Sequence, residues 1–120
     1  VPLSADTQRA SVAAAALAAG ARVLNDVSGL ADDPAMAEVA AQAEGLILMA
    51  RETEPSDDEP IDLCRRLLVA GLERAARAGI ATDRIVLDPG IGFFRRGRVP
   101  WDEFDLAVLR DLRSLGDLGC

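Results

Sequence analysis

Histidine and lysine are absent from this 120-residue chain, cysteine occurs only twice, and aromatic side chains fill 3% of positions. Without histidine there is no Ser-His triad, no imidazole base and no His-ligated metal. The two cysteines, Cys64 and Cys120, stand far apart and form neither a disulfide framework nor a thiolate metal cluster. Long hydrophobic runs are missing too: the longest, at 12–19 and 45–50, fall well short of the roughly 20 residues that span a bilayer. A membrane role is therefore not expected. No basic segment followed by an apolar one opens the chain, and with so little cysteine this points to the cytoplasm. Excess positive charge is also lacking. Twenty acids against 13 bases leave a net charge of −7, which argues against nucleic acid as a partner.

Half of the residues are apolar, enough to build a core, and the length suits one ordinary domain. All 13 bases are arginine and Asp outnumbers Glu, a composition that suits a GC-rich genome or a salt-loving host. The chain begins at Val1 rather than Met and stops abruptly at Cys120, as expected for a segment of a longer protein.

Strand-like and helix-like patterns alternate four times. Strands are expected at 1–6, 22–26, 46–50 and 84–87, and helices at 7–20, 35–43, 61–78 and 101–115. The alanine run before Gly20 favours a helix that a C′ glycine then stops. Asp33 followed by Pro34 reads as an N-cap with proline at the first helical position. The continuous apolar run at 46–50 is how a parallel strand buried on both faces reads. Ile61, Leu63, Cys64, Leu67, Leu68 and Leu72 give the third helix its apolar face, and Gly79 ends it. The segment 51–60, rich in acids and carrying two prolines, reads as a mobile loop.

Such alternation means βαβ units on a parallel sheet. No G-x-G-x-x-G follows the first strand, so a dinucleotide fold has little support. A complete (β/α)8 barrel needs about 250 residues. Four units therefore make about half of one, a single partial barrel domain over 1–120. Alone it leaves open parallel edges, and pairing with a second copy is one way to cover them, so a homo-oligomer is expected.

In α/β folds ligands bind beyond the carboxyl ends of the strands. The first strand ends in Asp6-Thr7, the second in Asn25-Asp26, the third in Met49-Ala50-Arg51 and the fourth in Asp88. Each has a bland explanation: Asp6 or Thr7 capping a helix, Asn25 and Asp26 making a turn, Asp88 opening the Pro89-Gly90 turn, Met49 filling the core. A shared pocket explains them together. Asp and Asn on neighbouring strand ends suit a planar heterocycle with adjacent N–H donors and a carbonyl, such as a guanine-like or pterin-like ring. Gly90-Ile91-Gly92 offers backbone N–H groups nearby, while Arg95, Arg96 and Arg98 are either an anion contact or a solvated cluster.

Four segments now carry a family resemblance: Ser4-Ala5-Asp6-Thr7, Val23-Leu24-Asn25-Asp26-Val27-Ser28-Gly29-Leu30, Leu46-Ile47-Leu48-Met49, and Ile85-Val86-Leu87-Asp88-Pro89-Gly90-Ile91-Gly92-Phe93. In order and content they resemble the dihydropteroate synthases, which are (β/α)8 barrels, and match their third to sixth units. The resemblance implies that Asp88 and Asn25 bond the aminopyrimidinone edge of a pterin and Asp6 its pyrazine side. Val27, Met49, Gly92 and Phe93 would be the apolar walls. It implies a transferase in folate biosynthesis that joins p-aminobenzoate to a dihydropterin methyl diphosphate. The carbon–oxygen bond breaks largely first, and buried carboxylates such as Asp6 and Asp88 act catalytically by stabilising the cationic pterin.

No cofactor is implied within this chain; the family's diphosphate-associated Mg2+ is held by loops that would precede Val1, and its late Lys and Arg-x-His would follow Cys120. The chain departs from the pattern in two places: Ala50-Arg51-Glu52-Thr53 stands where many members have His-Met-Arg-Gly, and Phe94-Arg95-Arg96 follows where Gly-Lys is common. Turnover by the segment alone is not expected. Two alternatives stand beside this one: a segment of a methyltetrahydrofolate:corrinoid methyltransferase, and a non-catalytic α/β assembly module.

Overall fold

A computed structural model of the chain describes residues 1–119; Cys120 and any role for it lie outside the described residues. The elements are β1 (Ser4–Asp6), α1 (Ala10–Ala18), β2 (Val23–Asp26), α2 (Met36–Ala40), β3 (Gly45–Met49), α3 (Pro60–Arg77), β4 (Ile85–Asp88) and α4 (Trp101–Asp111). Short 3-10 segments occupy Thr82–Arg84 and Leu112–Leu118. The strands form one parallel sheet in the order β1-β2-β3-β4. These are four consecutive β/α units on one parallel sheet, as the alternating pattern predicts.

The helices begin and end where local chemistry dictates. After α1, Gly20 at φ +102° closes the helix: its N–H bonds the Leu17 carbonyl at 3.0 Å while the Ala21 N–H reaches back to Ala16 at 3.0 Å. Gly79 at φ +76° ends α3 in the same way, with Ile80 N–H on the Ala75 carbonyl. Helix α1 starts three residues later than the alanine pattern predicts. The Thr7 N–H is still engaged with the Asn25 carbonyl at 3.0 Å, extending the strand ladder. Helix α2 is five residues rather than nine, and its end is closed by the Arg84 guanidinium on the carbonyls of Ala41 and Ala43. At the C-terminus the expected single helix tightens into a 3-10 segment after Asp111.

Strand alternation divides the sheet into two faces. Leu24, Leu46, Leu48 and Ile85 point to the helical side and are buried with Ala13, Met36, Ala40, Leu63, Cys64, Leu68, Ala75, Phe104 and Val108. Burying each leucine fully contributes about 1.5–3 kcal/mol relative to exposure. Helix α3 sits tightly on β3 because Gly71 has no Cβ; one built there would stand 2.6 Å from Leu48 Cδ2. Phe94 and Phe104 stack at 4.3 Å between centroids, fastening the loop after β4 to α4. Among the described residues no helix covers the other face, and Val86 there is 62% exposed.

Candidate functional site

The uncovered face is where the register gathers the expected residues. Asp6 pairs with Asn25, Asn25 with Ile47, and Ile47 with Val86, so these four share one row across the sheet. Met49 pairs with Asp88 two residues further along the strands, which returns both to that same face. Val27 lies past the end of β2, in the turn that follows Asp26, and is half-buried. A one-residue slip would turn the whole polar set towards the helices.

Asn25 and Asp6 are in contact: Asn25 Nδ2 donates to Asp6 Oδ2 at 3.2 Å. Neither expected carboxylate is buried within this chain: Asp6 is exposed and Asp88 half-buried, because both end strands on the uncovered face. Asn25 Oδ1 is buried and accepts no hydrogen bond among the described residues. Asp88 spends Oδ1 on the Gly90 N–H at 2.8 Å, and its main-chain carbonyl takes the Ala50 N–H at 2.8 Å. Gly90 is obligatory at this point. Its φ is +76°, and a Cβ would lie 2.2 Å from the Ala50 carbonyl oxygen. Beyond it the Phe93 N–H closes a turn on the Gly90 carbonyl at 3.0 Å, leaving the Phe93 ring half exposed. Gly92, at φ +86°, has open space where a side chain would be.

The bland explanations separate here. Asp6 does not cap α1, and Thr7 Oγ1 takes only the Arg9 N–H, at 3.1 Å, just before the helix. The first helical N–H, Ala10, goes to Asp33 Oδ2 at 2.8 Å, and Asp33 Oδ1 takes Ala35 N–H at 3.0 Å before α2. Those two amides hold the Asp33 carboxyl below the usual carboxylate range, Ala10 contributing most. Asp26 is the turn residue. Completely buried, it accepts from Ser28 N–H at 2.8 Å and Leu30 N–H at 3.0 Å, fixing a turn in which Gly29 and Leu30 both have positive φ. Asn25 takes no part in that turn. Asp88 serves its turn with one oxygen only. Met49 is buried and lines a cavity of about 270 Å³ with Ser28, Arg51, Leu67 and Arg74. A larger open groove of about 740 Å³ beside β1 is lined by Asp6, Thr7, Gln8, Arg9, Asp32 and Asp33, and of the expected residues it includes Asp6.

The arginines after β4 have local partners. Arg95 bonds the Gly92 carbonyl at 3.0 Å and lies over the Trp101 ring, Arg96 bonds the Thr53 carbonyl at 3.0 Å, and Arg98 pairs with Asp57 at 3.0 Å. Arg51 is tied to Gln8 at 3.0 Å and Asp32 at 2.7 Å. Among the described residues no group of three or more carboxylate or thiolate ligands converges to hold a metal ion.

Sequence reasoning missed two carboxylates. Glu52 and Asp105 are both buried. Glu52 lies in an acid-rich loop and cannot be told from its solvated neighbours. Asp105 left a trace: it fills the i+4 place in the helical stripe Trp101, Phe104, Asp105, Val108, where an apolar residue belongs.

Fold and site together define a barrel segment with polar strand ends on its open face. Comparison with known proteins makes this specific. The family model for pterin binding enzymes matches residues 1–119. The dihydropteroate synthase of Mycobacterium leprae is 38% identical over 110 residues, covering 84% of this chain and 39% of that protein. That of Bacillus subtilis is 37% identical over 120 residues, covering 99% and 40%. Among solved structures, the dihydropteroate synthase of Clostridium difficile, determined in the presence of pteroic acid, superposes with a TM-score of 0.87 at 34% identity, covering 99% of this chain and 44% of that one. The chain thus spans about two fifths of the length of these relatives. It belongs to the pterin-binding enzyme family.

Proposed function

We propose that this chain is the central part of a dihydropteroate synthase and contributes one side of its pterin pocket. The observation that carries this is Asn25 Oδ1, a buried acceptor without a partner, next to Asp6 and on the same sheet face as Asp88. A buried carbonyl left unpaired costs about 1–3 kcal/mol, and a ligand N–H removes that cost. A pterin ring presents such donors along one edge. Asp88 Oδ2 takes the paired N–H groups of the aminopyrimidinone, and Asp6 faces the pyrazine side. Val27, Met49, Gly92 and Phe93 wall the ring.

In the reaction assigned, the carbon–oxygen bond of a dihydropterin methyl diphosphate breaks and pyrophosphate leaves with the electron pair. The p-aminobenzoate nitrogen then bonds to the methylene carbon and loses a proton. Asp6 and Asp88 hold negative charge against the cationic pterin formed between these steps. Histidine is not required for that electrostatic work. The synthase names of the relatives support this reaction over methyl transfer to a corrinoid.

The remaining assignments are parts of the same proposal. The partial barrel over 1–120 is one domain and the setting is the cytoplasm. Among the described residues no helix is long and apolar enough to cross a membrane. Copies associate, supported by the exposed Leu106, Leu109 and Leu112 spaced along one side of α4 and its 3-10 extension. Sedimentation showing only monomer at micromolar concentration refutes that part.

Calorimetric titration of pterin into the chain tests the site. Saturable binding lost in Asp88→Asn is expected, since Asn still accepts from Gly90 but offers no carboxylate to the ring. Equal binding by both proteins, or none by the folded wild type, overturns the assignment.

A further inference from the structure

Four polar side chains are buried among the described residues: Asp26, Ser28, Glu52 and Asp105. Each shapes a loop at the carboxyl edge of the sheet. Asp26 and Ser28 serve the turn after β2. The other two serve the loop after β4, and they reach it from different elements. Glu52 Oε2, from the loop after β3, accepts the N–H groups of Arg95 at 3.0 Å and Arg96 at 2.8 Å. Asp105 Oδ2, from α4, accepts the Gly92 N–H at 2.9 Å.

Asp105 is the costlier of the two. It sits between buried Phe104 and buried Val108, and its Oδ1 is enclosed with no partner. An aliphatic residue in this place would improve the core, since burying a carboxylate is unfavourable unless it is fully hydrogen-bonded. What Asp105 provides instead is a fixed acceptor for one amide. That amide belongs to Gly92, which has a left-handed backbone and directly precedes the half-exposed Phe93 in the loop after β4. A side chain that sacrifices stability to hold one backbone group next to a ligand surface has the pattern of a functional restraint.

We propose that Asp105 is a positioning residue: through the Gly92 N–H it sets the Gly92–Phe93 wall against the pterin ring, while Glu52 fixes the far end of the same loop. This rests on the pterin assignment above and adds to it a residue that does not touch the ligand.

The test is a titration of pterin into the full chain for wild type, Asp105→Leu and Asp105→Asn, with hydrogen exchange at the Gly92 amide and a urea melt on each. Asp105→Leu is expected to expose the Gly92 amide and weaken pterin binding by at least about tenfold, the scale of losing a charged hydrogen bond. Its stability should hold or rise. Asp105→Asn, which keeps an acceptor, restores binding. A purely structural role predicts the reverse linkage, with affinity following the urea midpoint in every variant. Should Asp105→Leu fail to fold, Asp105→Glu moves the carboxylate by one methylene and takes its place. Unchanged affinity with an exposed Gly92 amide overturns the proposal. No pterin uptake by the folded wild type, with the Gly92 amide protected, locates the failure in the pterin assignment, and this proposal falls with it.

Discussion

Gly90 and Gly92 lie two residues apart, both with positive φ, and an alanine at each meets a different fate. At Gly92 the φ of +86° is the whole penalty, because a Cβ there has nothing within 4 Å. Left-handed backbone costs an L-residue about 1–2 kcal/mol. At Gly90 the same strain applies at φ +76°, and the new Cβ would also stand 2.2 Å from the Ala50 carbonyl oxygen. That atom is main chain in the last turn of the ladder between β3 and β4, so it cannot rotate away. Forcing such a contact apart adds about 1–3 kcal/mol, which puts Gly90→Ala about 2–5 kcal/mol below wild type. The displacement also falls on Asp88, whose Oδ1 accepts from the Gly90 N–H and whose carbonyl holds Ala50. Urea denaturation of both variants, analysed at constant m, measures the difference. Pterin titration should show Gly90→Ala losing binding. Equal stability losses, within about 0.5 kcal/mol, would refute the steric reasoning and leave backbone strain as the only cause.

Three further outcomes follow from the same geometry. Asp26→Ala strips the acceptor from the Ser28 and Leu30 amides and should cost about 2–4 kcal/mol in a urea melt; a loss under about 1 kcal/mol would mean that the turn holds itself. Burial, with the Asp88 charge adding to it, pushes the Cys64 thiol up from 9.0 to about 12. In the native protein Cys64 should therefore resist iodoacetamide at pH 8 and react only on unfolding, as read by mass on the peptide that carries it. The unfolded thiol ionises while the folded one keeps its proton, so stability falls as pH rises from about 9 to about 12; a flat profile there argues against burial of the thiol. Asp33 carries the opposite dependence. Its carboxyl is lowered in the fold, so its contribution is present at neutral pH and is lost on acidification from the ordinary carboxylate range downwards. Asp33→Asn should flatten that part of the acid unfolding curve.

What could be read from the sequence was whatever a periodic pattern encodes. The apolar run of β3 and the glycines at 20 and 79 fixed strand and helix limits to within a few residues because their causes are local. The strand-end rule placed Asp6, Asn25 and Asp88 on one edge, and the parallel register then set them on one face. The division of labour between adjacent residues was not legible. Asn25 and Asp26 look alike as turn formers, yet strand alternation sends one to the open face and the other into the core. Asp33 reads as a cap for α2 alone, because its bond to Ala10 spans 23 positions and depends on the packing of two units. Glu52 and Asp105 were hidden for a similar reason: their partners are backbone amides, which carry no residue identity.

The two oxygens of Asp33 have a consequence for how the molecule comes apart. One carboxylate secures the first amide of α1 and an amide just before α2, and these helices also pack on each other. The first two β/α units therefore open together, as one cooperative block in hydrogen exchange, since fraying either helix exposes the anchor of the other. Helices α3 and α4 pack on each other at the opposite end of the sheet, with the Arg65–Asp117 ion pair bridging α3 to the final 3-10 segment. The chain is built as two paired blocks joined along β2 and β3.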